Sequence, residues 1–263
     1  MNALHKRSSS IIGIVLCWVA LVAMMACNFL FEFLELGGVT SSEVSNQVFA
    51  WFTPAGYVFS IWGAIYAALA VWMILESSRA ANGRSLTPLE VGLFVLTCAL
   101  NIGWLVAFHF QQIELSLIVM VALWASMLVL YMNLRDDPTR NRFNLIPFSL
   151  YFGWLTVAMI ANATNLATRM FDSPPLANQI STVALTLAVL VVAFLSARNS
   201  RDYVFPLVIL WATIGVGVRL MNVDMLVSAV VLVLSAVGAL AIYIPGLLAA
   251  NRAPTRRPLA SED

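Results

Sequence analysis

Apolar runs of about 20 residues follow one another along nearly the whole chain, from residues 11–34 to a last run ending near Tyr243. At 1.5 Å per helical residue, such a run matches a hydrocarbon layer about 30 Å thick. Lipid offers backbone N–H and C=O groups no partners, so only helix bundles and closed barrels can cross it. Barrel strands would read as alternating segments of about 10 residues, a pattern not seen here. Composition agrees, with 61% hydrophobic and 10% charged residues, against about 25% charged in a soluble domain. The chain therefore reads as an all-α polytopic membrane protein.

Polar breaks divide it into eight spans. The first covers residues 11–34, too long for the apolar core of a signal peptide, so it reads as retained. The next four cover about 54–75, 88–109, a stretch ending near 134, and 144–167. The last three cover about 176–196, a run from near 203, and a run from near 224 to 243. The segment from Arg135 to Arg142, with Pro138 inside it, is the most charged turn, and only residues 219–224 divide spans seven and eight. Assigning the N-terminus to the inside puts every Lys and Arg except Arg169 and Arg219 on the inner side. That is a strong positive-inside bias, and it predicts that both termini are cytoplasmic. The outer side then holds Glu32, Glu35, Glu43, Glu114, Asp172 and Asp224, an acidic face that favours cationic over anionic solutes.

Several chemistries are excluded or left without residues. Lys6 is the only lysine, so no buried lysine can carry a retinal Schiff base. Cys17, Cys27 and Cys98 lie in apolar runs without a CxxC spacing and read as small buried hydrophobes. His109, at a span end, reads as interfacial rather than as a haem ligand. No carboxylate, lysine or histidine falls clearly at mid-bilayer, which argues against ion-coupled pumping. There is no Ser-His-Asp arrangement, metal-ligand cluster or phosphate loop, so no catalytic constellation of the usual kinds is in view and the balance is against an enzyme without settling it. Nothing in the sequence points to nucleic acid.

What the spans do carry is neutral polar and aromatic groups. The stretch Trp51 to Tyr66 contains Thr53-Pro54, which can start a helix with Thr53 as N-cap, followed by Tyr57, Trp62 and Tyr66. An interfacial aromatic belt accounts for Trp51 and Tyr57 better than for the deeper Trp62 and Tyr66, which share a helix face. Asn101 and Trp104 are three apart, as are Tyr151 and Trp154, with Ala158 and Asn162 continuing that face. Asparagines in spans commonly bond helix to helix. The aromatic set taken together suits a ligand pocket equally well.

These stretches resemble the TspO/MBR family, the tryptophan-rich sensory proteins that include the mitochondrial translocator protein. Thr53-Pro54-Ala55-Gly56-Tyr57-Val58-Phe59-Ser60-Ile61-Trp62, then Tyr66, is similar to that family's second-span motif, with one residue fewer. Ala99-Leu100-Asn101-Ile102-Gly103-Trp104 is similar to its third-span motif. Tyr151-Phe152-Gly153-Trp154, Ala158 and Asn162 fall at the spacing of its fifth. These motifs cover residues 10–167, whereas the family has five spans and this chain reads as eight.

The resemblance implies a TspO-like five-helix bundle over residues 1–170. A three-span extension would follow over 171–250, then a cytoplasmic basic tail over 251–263. It also implies a cavity at the outer face, lidded by the first loop and lined by Trp51, Tyr57, Trp62, Tyr66, Asn101, Trp104, Tyr151, Trp154, Ala158 and Asn162. Family members bind tetrapyrroles such as protoporphyrin and haem precursors, so a bound porphyrin or haem precursor is the implied ligand, with no cofactor required. The expected function is a receptor or sensor for a planar hydrophobic molecule in a bacterial cytoplasmic membrane. The alternatives are a facilitative transporter of an amphipathic solute and, more weakly, a porphyrin-degrading activity. A homodimer is the family's expectation, with the extra spans placed to bury that surface.

Overall fold

The computed structural model describes residues 3–35, 37–83, 86–137 and 140–251. The basic tail expected over 251–263 lies outside the described residues from 252 onward, as do Arg84 and Pro138. Every regular element among the described residues is helical: α1 Ala3–Glu32, α2 Ser41–Asn46, α3 Ile61–Ala81, α4 Pro88–His109, α5 Ile113–Asp136, α6 Ile146–Met170, α7 Pro175–Ser200, α8 Val204–Leu220 and α9 Met225–Asn251. Single 3-10 turns at Gly56–Ser60 and Arg142–Leu145 lead into α3 and α6.

Among the described residues, seven helical stretches are long and apolar enough to cross a membrane. Helix α8, with 17 residues, is apolar but shorter, at about 25 Å. Outward-facing Ile11, Val15, Val19, Val22, Ile118, Leu176 and Leu226 stay exposed, as expected of helices whose solvent is as apolar as their core. The protein is a multi-pass helical membrane protein.

Helix ends follow their sequences. Thr87 accepts the Glu90 N–H at 3.2 Å while the Glu90 carboxylate accepts the Thr87 N–H at 2.7 Å, and Pro88 fills the first helical position. This reciprocal box starts α4 at the boundary read from the sequence. The Thr53-Pro54 pair behaves differently from its expected role as a helix start. Thr53 is buried, its hydroxyl has no partner among the described residues, and α3 starts only at Ile61. The reason is tertiary: residues 53–55 dock on α8. The Ala55 N–H donates to the Gly215 carbonyl at 3.0 Å, which holds the chain extended until the 3-10 turn begins.

Helices α1, α3, α6, α5 and α4 close a ring, each packed on its neighbours in that order, with α4 returning to α1. Helices α7, α8 and α9 pack on one another and join the ring where α8 meets α6 and the turn before α3. Glycines permit these close joins. A Cβ on Gly153 would lie 3.0 Å from Val208 Cβ and 3.2 Å from the Phe205 carbonyl; one on Gly215 would lie 2.3 Å from Val58 Cγ2. One large core cluster runs through both groups of helices, from Leu21 and Met73 to Phe205 and Ile209.

Candidate functional site

The ring is filled by aromatic side chains centred on Trp62. Its ring stacks on Tyr66 at 5.5 Å and 17°, and it meets Tyr151 at 5.7 Å and Trp104 and Trp154 at 6.1 Å each. Phe59 stands edge-on to Trp154 at 5.5 Å. The four-residue spacing of Trp62 and Tyr66 produces the first contact; α4 and α6 deliver the others across the bundle. Offset and edge-on pairs of this kind contribute about 0.5–1.5 kcal/mol each beyond simple burial.

A buried polar chain runs alongside. Asn28 Nδ2 donates to Asn101 Oδ1 at 2.9 Å, Asn101 Nδ2 donates to the Tyr151 hydroxyl at 2.8 Å, and that hydroxyl lies 3.8 Å from the Met24 sulfur. It ties α1 to α4 and α4 to α6. Asn162 does a similar task elsewhere, donating from Nδ2 to Ser116 Oγ at 3.1 Å between α6 and α5.

Against this cluster, between α1, α3 and the segment that follows α1, lies a mainly apolar cavity of about 550 Å³. That is within the size range of small-molecule sites, about 300–1,000 Å³. Met25, Asn28, Phe29 and Glu32 form one wall, Trp62 and Tyr66 another, and Phe59, Ser60 and Gly56 the turn between them. Phe33, Thr40 and Ser42 come over from the loop. The buried Tyr66 hydroxyl in this lining has no partner among the described residues, and neither do the indole N–H groups of Trp104 and Trp154 in the cluster behind it. A buried polar group without a partner is uncommon and marks a place where something can bond.

The covering segment is pinned at several points. Thr40 caps the short α2 in a reciprocal box with Glu43. The Thr40 backbone N–H, and then its hydroxyl, hold the Glu43 carboxyl below its ordinary range. The Glu32 carboxylate accepts the Ser41 N–H at 3.1 Å and the Ser41 hydroxyl as well. Asn165 donates to the Ser45 carbonyl at 3.2 Å, and Arg169 donates to the Gln47 side chain at 3.3 Å. Arg219 of α8 donates to the Ala50 carbonyl at 2.7 Å and lies over the Phe49 ring at 4.6 Å. Arg219 was placed by sequence near Asp224; it turns instead to this loop, and Asp224 accepts from Gln179 at 2.7 Å.

Six of the ten residues expected at a site, Trp62, Tyr66, Asn101, Trp104, Tyr151 and Trp154, form the one cluster just described. Only Trp62 and Tyr66 of these line the large cavity. Ala158 and Asn162 border a separate void of about 20 Å³ behind Phe59, shared with Trp104 and Trp154. Trp51 lies away from the cluster, edge-on to Phe49 at 5.8 Å and packed near Val216 and Leu220. Tyr57 is exposed and meets Trp211 of α8 at 5.3 Å. The cavity wall on α1 was not anticipated, although Met25, Asn28, Phe29 and Glu32 follow a helical spacing that could have marked it. His109, at the end of α4, is buried within the protein. Its Nδ1 donates to the Leu105 carbonyl at 2.9 Å, and its Nε2 lies 3.6 Å from Glu32.

A closed ring of membrane helices with an aromatic floor and a pinned segment beside a cavity of about 550 Å³ defines a class by its fold: multi-pass helical membrane proteins with an aromatic-walled cavity. A model of the TSPO-like protein family matches residues 14–244, and the chain belongs to that family. The match runs past residue 167, where the motif resemblance stops, and takes in α7, α8 and most of α9. No curated protein and no solved structure matches the chain.

Proposed function

We propose that this protein is a membrane receptor or sensor that binds a flat, hydrophobic ligand, porphyrin-like in chemistry, in the cavity between α1 and α3. The observation that carries the reading is the meeting of that cavity with the stacked Trp62–Tyr66 pair, whose Tyr66 hydroxyl is buried and unpartnered. A macrocycle would present a π face to the two rings and a polar edge to Tyr66 and Asn28. Glu32 at the rim favours a ligand with a donor or a positive charge at that end. On this reading Trp104, Tyr151 and Trp154 act from behind, keeping Trp62 upright, while Asn101 fixes Tyr151. Trp51, Tyr57, Ala158 and Asn162 support the surroundings.

Binding is favoured over facilitated transport because the path beneath the cavity is filled. Trp62 and Tyr151 are followed toward the other end by Trp72, Phe94 and Phe148, all fully or nearly fully buried, with the Trp72 ring against both phenylalanines. We infer further that α8 completes eight spans, that residues 1–170 and 171–250 are a ring and an appended trio, and that both termini are cytoplasmic in a bacterial inner membrane. Helix α8 covers part of α6, so a homodimer would use a surface outside that contact.

The test is tryptophan-fluorescence quenching of the detergent-solubilised protein titrated with protoporphyrin IX. Saturable quenching at micromolar or lower concentration, weakened about tenfold or more by Trp62→Ala, supports the reading. Equal quenching of wild type and Trp62→Ala, or quenching without saturation, overturns it.

A further inference from the structure

At the end of the bundle away from the cover, the chain reverses twice in close proximity, from α5 to α6 and from α7 to α8. A cavity of about 300 Å³ opens there, and three guanidinium groups line it: Arg135 at the end of α5, Arg142 in the 3-10 turn and Arg201 between α7 and α8. Its one lining carboxylate is already committed. Asp202 Oδ2 accepts from the Tyr131 and Ser149 hydroxyls, both at 2.7 Å, and Oδ1 caps α8 through the N–H groups of Val204 and Phe205.

The arginines are not committed to the same degree. Arg135 pairs with Asp136 at 2.9 Å and reaches the Ser200 hydroxyl at 3.3 Å. Among the described residues Arg142 donates only to the Arg201 carbonyl, at 3.5 Å, and neither Arg142 nor Arg201 has a carboxylate partner. Each guanidinium carries five N–H donors in a planar fork suited to phosphate oxygens. Arg201 also has φ 51°, a left-handed backbone that non-glycine residues adopt only at a cost. The local fold thus holds a strained residue where its side chain joins the other two.

The basic cavity shares Phe143 and Ile146 with an almost wholly apolar groove, also of about 300 Å³, between α3 and α6. Ala68, Val71 and Leu75 form the groove's other wall, and Phe143 at the junction is 75% exposed. A cup of guanidinium donors continuous with an apolar trough at the edge of the bundle matches an amphiphile with a phosphate head and an acyl tail. We propose that this is a binding site for a phosphate group, carried by an anionic phospholipid whose chain follows the α3–α6 groove. The site is distinct from the aromatic cavity and does not depend on that cavity's ligand.

The experiment is native mass spectrometry of the full-length, delipidated protein titrated with dioleoylphosphatidylglycerol or dioleoylphosphatidylcholine. Inorganic phosphate and glycerol 3-phosphate are added as competitors in separate arms. Arg142→Gln and Arg201→Asn, the latter because Asn tolerates a left-handed backbone, are compared with Arg198→Gln. Arg198 lies at the same end but is exposed over Phe194, outside the cavity. The expected result is one tightly retained phosphatidylglycerol, lost about tenfold more readily in each cavity variant and unchanged in Arg198→Gln. Displacement by millimolar glycerol 3-phosphate or phosphate, abolished in the same two variants, also supports the phosphate site but assigns it to a soluble source. Equal retention of the two lipids overturns the proposal, as does the same loss in Arg198→Gln or no loss in the cavity variants.

Discussion

Tyr66→Phe separates the roles of one atom in the free and occupied protein. The substitution leaves the 5.5 Å stack on Trp62 in place, because only the hydroxyl is removed. That hydroxyl is buried and has no partner among the described residues. A buried polar group left unpaired costs about 1–3 kcal/mol, and taking it away removes that cost. Allowing for relaxation, the free protein gains about 1 kcal/mol, which for a chain of this size is a rise of about 2–4 °C in unfolding temperature. A ligand that bonds to the hydroxyl loses about 1 kcal/mol on the same substitution, a fall in affinity of about five- to tenfold. Differential scanning fluorimetry in detergent, with and without protoporphyrin IX, reads both effects in one series. The expected pattern is a variant more stable than wild type when free and less stabilised than wild type when titrated. A variant less stable than wild type when free refutes the reasoning, because it means that the hydroxyl already has a partner whose loss is felt.

Three further predictions follow from the packing and the charges. Gly215→Ala places a Cβ 2.3 Å from Val58 Cγ2; the expected loss is about 1–3 kcal/mol by thermal unfolding, and adding Val58→Ala recovers at least half of it. Arg140 lies only 4% exposed between Glu76 at 2.8 Å and Glu90 at 3.2 Å, so Arg140→Met strands Glu90 and leaves Glu76 only Arg79, at 3.3 Å, at a cost of about 3–5 kcal/mol; adding Glu76→Gln and Glu90→Gln should restore most of that stability. The Glu43 carboxyl titrates below the ordinary glutamate value because the Thr40 N–H and hydroxyl hold it ionised. Its folded value being the lower, the cap contributes fully above the unfolded value and is lost as the pH falls through the folded one. Hydrogen-exchange protection over residues 41–47, corrected for intrinsic rate, should therefore drop below about pH 4.5 in wild type and be low at all pH values in Thr40→Ala.

The helical order was legible because lipid imposes it: runs long enough to cross a bilayer must be helices, and their breaks carry the charges. Helix α4 was readable to its ends since Pro88 opens it and His109 closes its apolar run. Residues whose partners lie on other helices were less legible. Thr53-Pro54 has the local form of a helix start, yet the docking of Ala55 on the Gly215 carbonyl decides its conformation. Arg219 and Asp224 are neighbours in sequence and take partners about 170 and 45 residues away, respectively. Trp62, Tyr66, Asn101, Trp104, Tyr151 and Trp154 could be grouped because each pair sits at a helical spacing and three motifs keep their order. The α1 wall of the cavity escaped because Asn28 and Glu32, without a motif around them, look like any polar residues near a span end.

The bond from Arg219 to the Ala50 carbonyl has a kinetic meaning. It lets a helix of the C-terminal trio hold the far end of a segment whose near end, at Thr40 and Ser42, borders the cavity. Lifting that segment requires breaking contacts to α1, α6 and α8 together, so a molecule held in the proposed site would exchange at the pace of a concerted release rather than of diffusion. Loosening the α8 tether alone would speed arrival and departure alike and leave the equilibrium constant nearly where it was. On the proposed reading, the C-terminal helices would act as a timer on the cavity, setting dwell time while the aromatic ring sets preference.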